Sequence, residues 1–449
     1  MMVGVAAVVL ALVQTGAAAE PAGGPGALAI EGGRVLTMVA EAIEGGTVLI
    51  QDGKITAVGR DLEIPDDARR IGARGKTVMP GLIDALSRLY VYPEELAEDK
   101  EIAPELRITD AVDPYLKDTG EVLRHGVSAV HVVPGARSLL GGMSAVLKVL
   151  AEAGAIRPVT DSAAVRGQIG VPSGSTSSSL QRLATYASIR EAFLATRDYL
   201  WSWEKYERAL ARYEKKAAEG REDEDEEKDE DEKEEETEEA AKEKDAKADR
   251  GPRPRKPATN PTYETLARVL KREIPLQIEA HRVADILNAL RLRDEFDVDL
   301  VLLGCSEGHK IAREIASGDV PVIVAPVALS FAEPSRLRYG EHSRANAAAL
   351  ADAGVKVALG VGGGEGLHSK LVRTCAAIAV GEGLGGDEAL KAVTVNAAEI
   401  LGVSDRIGSI AEGRDADVVI IDGEPLDVLS AVETVIMDGE VVFERGAGE

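Results

Sequence analysis

Aromatic residues are scarce in this chain: four Phe, two Trp and nine Tyr among 449 residues. Packing must therefore rest on Ala, Val, Leu and Ile, which a hydrophobic content of 45% supplies in ordinary amount. Cysteine is nearly absent. Cys305 and Cys375 lie far apart in apolar surroundings, so two buried thiols are expected rather than a disulfide framework, and two cysteines alone cannot build a structural zinc site. Positive charge is short as well: 52 Lys and Arg stand against 77 Asp and Glu, a net charge of -25, which excludes nucleic acid and anionic membrane surfaces as natural partners. The excess is uneven, because residues 221–250 hold 18 acids and 7 bases and so carry -11 of it (7 - 18). Long apolar runs are missing too. The one candidate is Val3 to Val13, too short to span a bilayer, followed by Ala17-Ala18-Ala19 before Glu20. Residues 1–19 read as a signal peptide, although the n-region lacks Lys or Arg, and the mature protein is expected in the periplasm or secreted, with no membrane span.

What is present is organised in three textures. After the leader, "ALAIEGGRVLTMVAEAIEGGTVLIQDGKITAVG" alternates short β-branched runs with Gly and Asp-Gly turns, and "ADVVIIDGEPLDVLSAVETVIMDGEVVFERG" repeats this near the other end. The two ends predict one composite β-sandwich domain over 28–80 and 403–446. Between them, over 81–402, short buried strands alternate with helical patterns: "VSAVHVVP" (127–134), "PLQIEA" (275–280), "VDLVLLG" (298–304), "PVIVAP" (321–326) and "VKVALGV" (355–361). Repeated strand–helix units of this number predict an α/β fold, a (β/α)8 TIM-like barrel, with an open doubly wound sheet as the alternative. A charged helical or disordered insertion, 203–262, interrupts it. Tyr199, Trp203, Tyr206, Leu210 and Tyr213 fall at helical spacing, which predicts an amphipathic helix whose aromatic stripe serves packing; a solvated excursion over 217–260 follows.

Read as phrases, "GKTVMPGLIDA" together with "TVNAAEILG" and "GSIAEGRDADVVIIDGEPLD" resembles the amidohydrolase superfamily, in its imidazolonepropionase-like and prolidase-like branch. "HGVSAVHVVPG", "AHRVADILNALRL" and "DAGVKVALG" follow in order, so the resemblance covers nearly all of 28–446 apart from the charged insertion. It implies a metal-dependent barrel that hydrolyses C–N bonds with zinc or another divalent ion, and a split β-sandwich. It also implies two histidines two residues apart on the first barrel strand, further histidines, in some members a carboxylated lysine, and a closing aspartate that takes a proton from metal-bound water.

The residues at those places differ here. Leu86 and Arg88 stand in the first pair, Glu279 and His281 at the fifth strand, Gly304 at the sixth, Gly362 at the acid, and Arg166 in "AAVRGQIG" nearest to the lysine. The six histidines, His125, His131, His281, His309, His342 and His368, include no His-x-His pair. A catalytic zinc needs about three N, O or S ligands, and Arg cannot ligate one. No catalytic or metal residue is therefore assigned, and no cofactor is expected. Candidate binding residues are Arg88, Glu279, His281, Arg282 and His309, all near strand ends that line a barrel mouth. Arg88 and Glu279, opposite in sign, are expected to pair across that mouth, with the guanidinium in the vacated metal position. His131 reads as a satisfied core histidine, His125 as a helix-end cap, and Asp84 as structural. The favoured function is that of an exported, catalytically inactive or impaired homologue, which binds a small polar ligand or forms a homo- or hetero-oligomer with an active relative. The alternative is an active hydrolase of C–N bonds with an unconventional site, either one metal on Glu279, His281 and His309 or a metal-free acid–base pair. A plain binding protein for small polar molecules is the third reading.

Overall fold

The structure, a computed structural model, describes residues 26–92, 100–116, 119–135, 138–151, 154–170, 179–225, 252–325, 340–362 and 366–446. The expected leader, and the acidic run beyond residue 225, lie outside the described residues.

The strands at the chain ends are β1 (Leu28–Val35), β2 (Ile43–Gln51), β3 (Lys54–Gly59), β4 (Arg69–Gly72) and β5 (Thr77–Pro80), then β14 (Val418–Asp422), β15 (Ala431–Met437) and β16 (Glu440–Glu444). They form one continuous eight-stranded sheet in the order β16-β15-β14-β5-β1-β2-β3, with β4 beside β1. Its seam is the antiparallel β14–β5 pair, Val418 opposite Pro80 and Ile421 opposite Thr77, which joins segments more than 300 residues apart in sequence. Ile30, Val48, Ile50, Val78, Val418, Ile420 and Ile436 fill its core. The aliphatic packing expected from the composition is realised there.

The second sheet also has eight strands: β6 (Leu82–Ser87), β7 (Val127–Val132), β8 (Leu140–Lys148), β9 (Pro158–Gln168), β10 (Leu276–Ala280), β11 (Leu300–Gly304), β12 (Val322–Val324) and β13 (Val357–Leu359), in chain order across the sheet. It is a nearly closed barrel. The Gly362 N–H donates to the Leu86 carbonyl at 3.2 Å, and the Val361 N–H donates to Asp84 at 3.0 Å, which brings the end of β13 against β6. One departure from the expected all-parallel barrel stands out. β8 runs antiparallel to both β7 and β9, and among the described residues no helix lies between these three strands.

Strand alternation divides the barrel's side chains cleanly. Ile83, Ala85, Ala129, Val146, Val301, Leu303, Ile323 and Ala358 form one buried cluster, while their neighbours Leu82, Val127, Leu300, Leu302, Val322 and Val357 belong to the outer core under the helices. In β10 the outer set is Leu276, Ile278 and Ala280, which leaves Gln277 and Glu279 on the inner face, both buried. β10 thus carries polar groups into the barrel beside Arg166 and Gln168 of β9, while β6, β11, β12 and β13 bring mainly aliphatic ones.

Pro80-Gly81 is the passage between the two sheets. A Cβ at Gly81 would collide with the Ser128 hydroxyl, so only glycine permits the close crossing, and its N–H donates to the Asp417 carbonyl at 2.9 Å. A buried ion network holds the sheets together beside it: the Lys148 ammonium, at the end of β8, is 3.0 Å from Asp415 and 3.0 Å from Asp417, and also pairs with Asp438. The insertion begins as the helix Ser179–Asp225. Tyr199 packs on Trp203 and Tyr263, and Lys256 lies over the Trp203 ring, so this part of the stripe is covered by the returning chain, as packing requires. Cys305 and Cys375 are both buried. No helix among the described residues is long and apolar enough to cross a membrane.

Candidate active site

The barrel mouth is assembled from the carboxyl ends of the parallel strands, where loops bring side chains from distant parts of the chain together. β10 supplies two of the groups expected there. Glu279 is its penultimate residue and His281 follows its end, and the alternation of side chains puts both on one face. The His281 ring bonds Glu279 Oε1 through Nε2 at 2.9 Å and Ser306 Oγ through Nδ1, also at 2.9 Å. The second carboxylate oxygen of Glu279 pairs with Arg166 on β9. All four side chains are buried.

Register explains why Arg166 is there. β9 and β10 are parallel, with Gln277 opposite Arg166 and Glu279 opposite Gln168, so Arg166 reaches Glu279 diagonally from the adjacent strand. The expected pairing of Glu279 with Arg88 is corrected accordingly: among the described residues Glu279 meets Arg166, and the Arg88 side chain forms no hydrogen bond or ion pair. Arg88 stands past the end of β6, four strands from β10 in the sheet order, whereas Arg166 is on the next strand. Gln277, one step below Glu279, has a buried Oε1 that meets no donor among the described residues.

Ser306 is held by the backbone after β11. Gly304 and Cys305 both have positive φ, 86° and 45°, and the chain turns so that the Cys305 N–H reaches the Ala280 carbonyl and the Glu307 N–H reaches that of His281, at 2.9 Å. The loop after β11 is thereby stitched onto the end of β10. A Cβ on Gly304 would fall onto Cε1 of the His281 ring, so the glycine there makes the room that the imidazole occupies. Glu307 completes the support: it accepts from the Val283 N–H at 2.8 Å, the Glu341 N–H at 2.9 Å and Lys310 at 3.1 Å. Burial pushes the Glu307 carboxyl up, yet these N–H groups and Lys310 outweigh it and hold it below the ordinary glutamate value.

The opposite wall is apolar. Leu86 packs on the inner cluster, where a Cβ on Gly360 would come within 2.6 Å of Leu86 Cβ. A Cβ on Gly362 would lie 3.4 Å from Leu86 Cδ2 and 2.6 Å from Ala325 Cβ. A large residue on β6 and small ones after β13 therefore fill a single space.

Behind this wall Asp84 is fully buried and accepts from Ser369 Oγ at 2.6 Å, from the Leu86 N–H at 3.1 Å and from that of Val361 at 3.0 Å. Burial pushes its pKa up to about 6 against the pull of these donors. Asp84 thus joins β6 to β13, the structural role expected for it. His131 is satisfied, as read from its apolar strand: Nδ1 donates to the Ala85 carbonyl and Nε2 meets Ser144 Oγ, each at 2.8 Å. Burial pushes it down to about 4, so it is neutral at pH 7. His125 bonds the Glu121 carbonyl at 2.7 Å, at the end of the helix Thr119–Arg124.

Arg282 is the half-buried N-cap of the helix Val283–Phe296; its carbonyl accepts from the Ile286 N–H at 2.9 Å, and its side chain has neither a hydrogen bond nor an ion pair among the described residues. His309 lies just past β11; its N–H donates to Asn346 Oδ1 at 2.8 Å, and its buried Nδ1 meets no partner among the described residues. Of the five candidate binding residues, the structure joins Glu279 and His281 by a hydrogen bond. Arg282 and His309 stand past the adjacent ends of β10 and β11, and Arg88 past β6, without side-chain bonds to that pair. Ser306 and Gln277 escaped the sequence reading; the only signal for Ser306 is a hydroxyl two residues past a strand end. Among the described residues no group of three or more His, Cys, Asp or Glu converges closely enough to hold a metal ion. The described residues assemble no donor set of the kind that the resemblance implies.

Comparison with known proteins bears on what this arrangement descends from. The sequence model of the Amidohydrolase family matches residues 320–443. An amidohydrolase of Thermotoga maritima MSB8 is similar in structure, with 27% identity and a TM-score of 0.73, over 93% of this chain and 100% of that one. A putative prolidase from Bifidobacterium longum shares the fold at 15% identity and a TM-score of 0.52, over 93% and 95% of the two chains. Short sequence matches reach the dihydroorotase of Anaeromyxobacter sp. (strain K), 41% identical over 73 residues, and that of Mycobacterium tuberculosis, 44% over 54 residues. These matches span only 16% and 13% of those enzymes' length.

Proposed function

We propose that the chain is a member of the amidohydrolase family that has lost the family's metal-dependent reaction and keeps the barrel mouth as a site for a small polar ligand. The supporting observation is the Arg166–Glu279 pair. A guanidinium sits on the carboxylate that stands at a metal-ligand place, and a divalent ion beside it would meet like charge in a buried, low-dielectric setting. Leu86 packed against Gly360 and Gly362 supports the same reading, since an apolar plug fills the space between the first and last strands. Arg88, Arg282 and His309, half-buried at the mouth, supply donors for the ligand.

Metal analysis of dialysed protein tests the proposal. The expected result is zinc, iron and manganese far below one per chain; a stoichiometric ion overturns it. We further propose export through the leader, and pairing with an active relative, in which this chain contributes an interface while its partner contributes chemistry. Co-purification from native lysate reads out the pairing: an associated amidohydrolase supports it, a clean monomer contradicts it. The second reading, a hydrolase with an unconventional site, is favoured by the hydrogen-bonded chain from Ser306 to Glu279.

A further inference from the structure

We infer that Ser306, His281 and Glu279 form a metal-free acyl-transfer triad, taking esters or amides with small acyl groups. This goes beyond ligand binding at the same mouth. Nucleophilic catalysis by serine requires a base on the hydroxyl and a third group that orients the base, and such a constellation is recognised by geometry rather than by fold. Both bonds are in place, at 2.9 Å each. Their polarity follows from the ends of the chain. Glu279, paired with Arg166, is a carboxylate that only accepts, so His281 Nε2 carries the hydrogen. Nδ1 then presents its lone pair, and the Ser306 hydroxyl donates to it. That is the arrangement in which imidazole can take the serine proton.

The surroundings fix this geometry. Gly304 makes room for the ring, and the Glu307 N–H holds the His281 carbonyl, which leaves the imidazole little freedom to turn. Arg166 is a positioning residue that holds Glu279. The Ser306 amide N–H, which meets no acceptor among the described residues, is available to an oxyanion. Ser306 is only 2% exposed, which limits the acyl group to a small one such as acetyl.

The reaction balances without an added reagent other than water. Ser306 Oγ attacks the carbonyl carbon while its proton passes to His281 Nδ1, and Glu279 offsets the charge of the imidazolium. His281 returns the proton to the leaving alcohol or amine as the C–O or C–N bond breaks. Water, deprotonated by the same nitrogen, then cleaves the acyl-serine and restores the hydroxyl.

The test is covalent labelling of the full chain with methanesulfonyl fluoride, a reagent of acetyl size that sulfonylates an activated serine and releases fluoride, followed by peptide mapping and a p-nitrophenyl acetate burst assay. The expected result is one adduct, on Ser306, and a burst of one p-nitrophenolate per chain. His281→Gln should slow labelling by about 100-fold or more, and Ser306→Ala should abolish adduct and burst with an unchanged melting temperature. Absence of an adduct on Ser306 in the unaltered protein overturns the inference whatever the variants do, and so does labelling that is as fast in H281Q. The outcome is separable from that of the proposed function. Metal-free protein without an adduct defeats the triad alone, and a stoichiometric metal defeats the loss of the metal reaction, whether or not Ser306 is labelled.

Discussion

At the scale of single residues, Asp84 and His131 oppose each other in acid. Asp84 has a folded pKa of about 6 against an ordinary 3.8, so its protonated form is favoured in the fold. Its contribution is full below pH 3.8 and is lost as pH rises through about 6. His131 is pushed from 6.5 to about 4, so its contribution is full above pH 6.5 and is lost as pH falls towards 4. Each is worth about 3 kcal/mol, and between pH 6.5 and 4 they offset. Asp84→Asn removes one side of this balance. Urea denaturation at pH 7 and pH 4 should show the variant losing about 3 kcal/mol more than the wild type over that interval; equal losses would contradict the assignment. Gly304→Ala tests the packing of the mouth. With φ at 86° and the His281 ring where the methyl would go, it should cost about 2–4 kcal/mol in chemical denaturation. Glu279 and His281 were legible because two polar residues, two apart at a strand end, share a face. The partner of Glu279 was not, because charge complementarity alone favoured Arg88, and only the β9–β10 register places Arg166 nearer. Ser306 had no periodic signal at all.

At the scale of elements, β7 and β10 to β13 were visible as short aliphatic runs, each within a few residues of the observed bounds. β8 and β9 were not. β8, "LGGMSAVLK", is buried at every position, so it shows no alternation, and its Gly-Gly pair reads as a turn. β9 begins at a proline and mixes polar with apolar residues because its inner face carries Arg166 and Gln168 towards Glu279. The antiparallel course of β8 delivers Lys148 to the aspartates of the other sheet. Burial pushes the Asp415 carboxyl up, but Lys54, Lys148 and Arg406 more than offset this and bring it down to about 2. Lys148→Met leaves these carboxylates facing one another without their buried cation. It should destabilise the protein by about 3–5 kcal/mol in urea unfolding at pH 7, and an unchanged midpoint would show that the network does not tie the two sheets together.

At the scale of the whole molecule, the fold and the chemistry part company. The strand rhythm, the β-rich ends and the phrases "PGLID" and "TVNAAEILG" all pointed to the observed architecture, because packing is written in patterns that survive substitution. Function rests on a few side chains at the barrel mouth, and there the structure gathers Arg166, Glu279 and His281 together with an apolar wall around Leu86. Because the substitutions pack on one another, restoring one ligand should not restore the site. Gly362→Asp brings its Cβ against Ala325 and Leu86, and should lower stability without conferring zinc binding in calorimetric titration. The most direct measurement is a crystal structure grown with saturating zinc, with anomalous differences collected at the zinc edge. The account predicts no peak within bonding distance of Glu279 or His281 and the Arg166 guanidinium still on the carboxylate. A strong peak ligated by either residue, with Arg166 displaced, would contradict it.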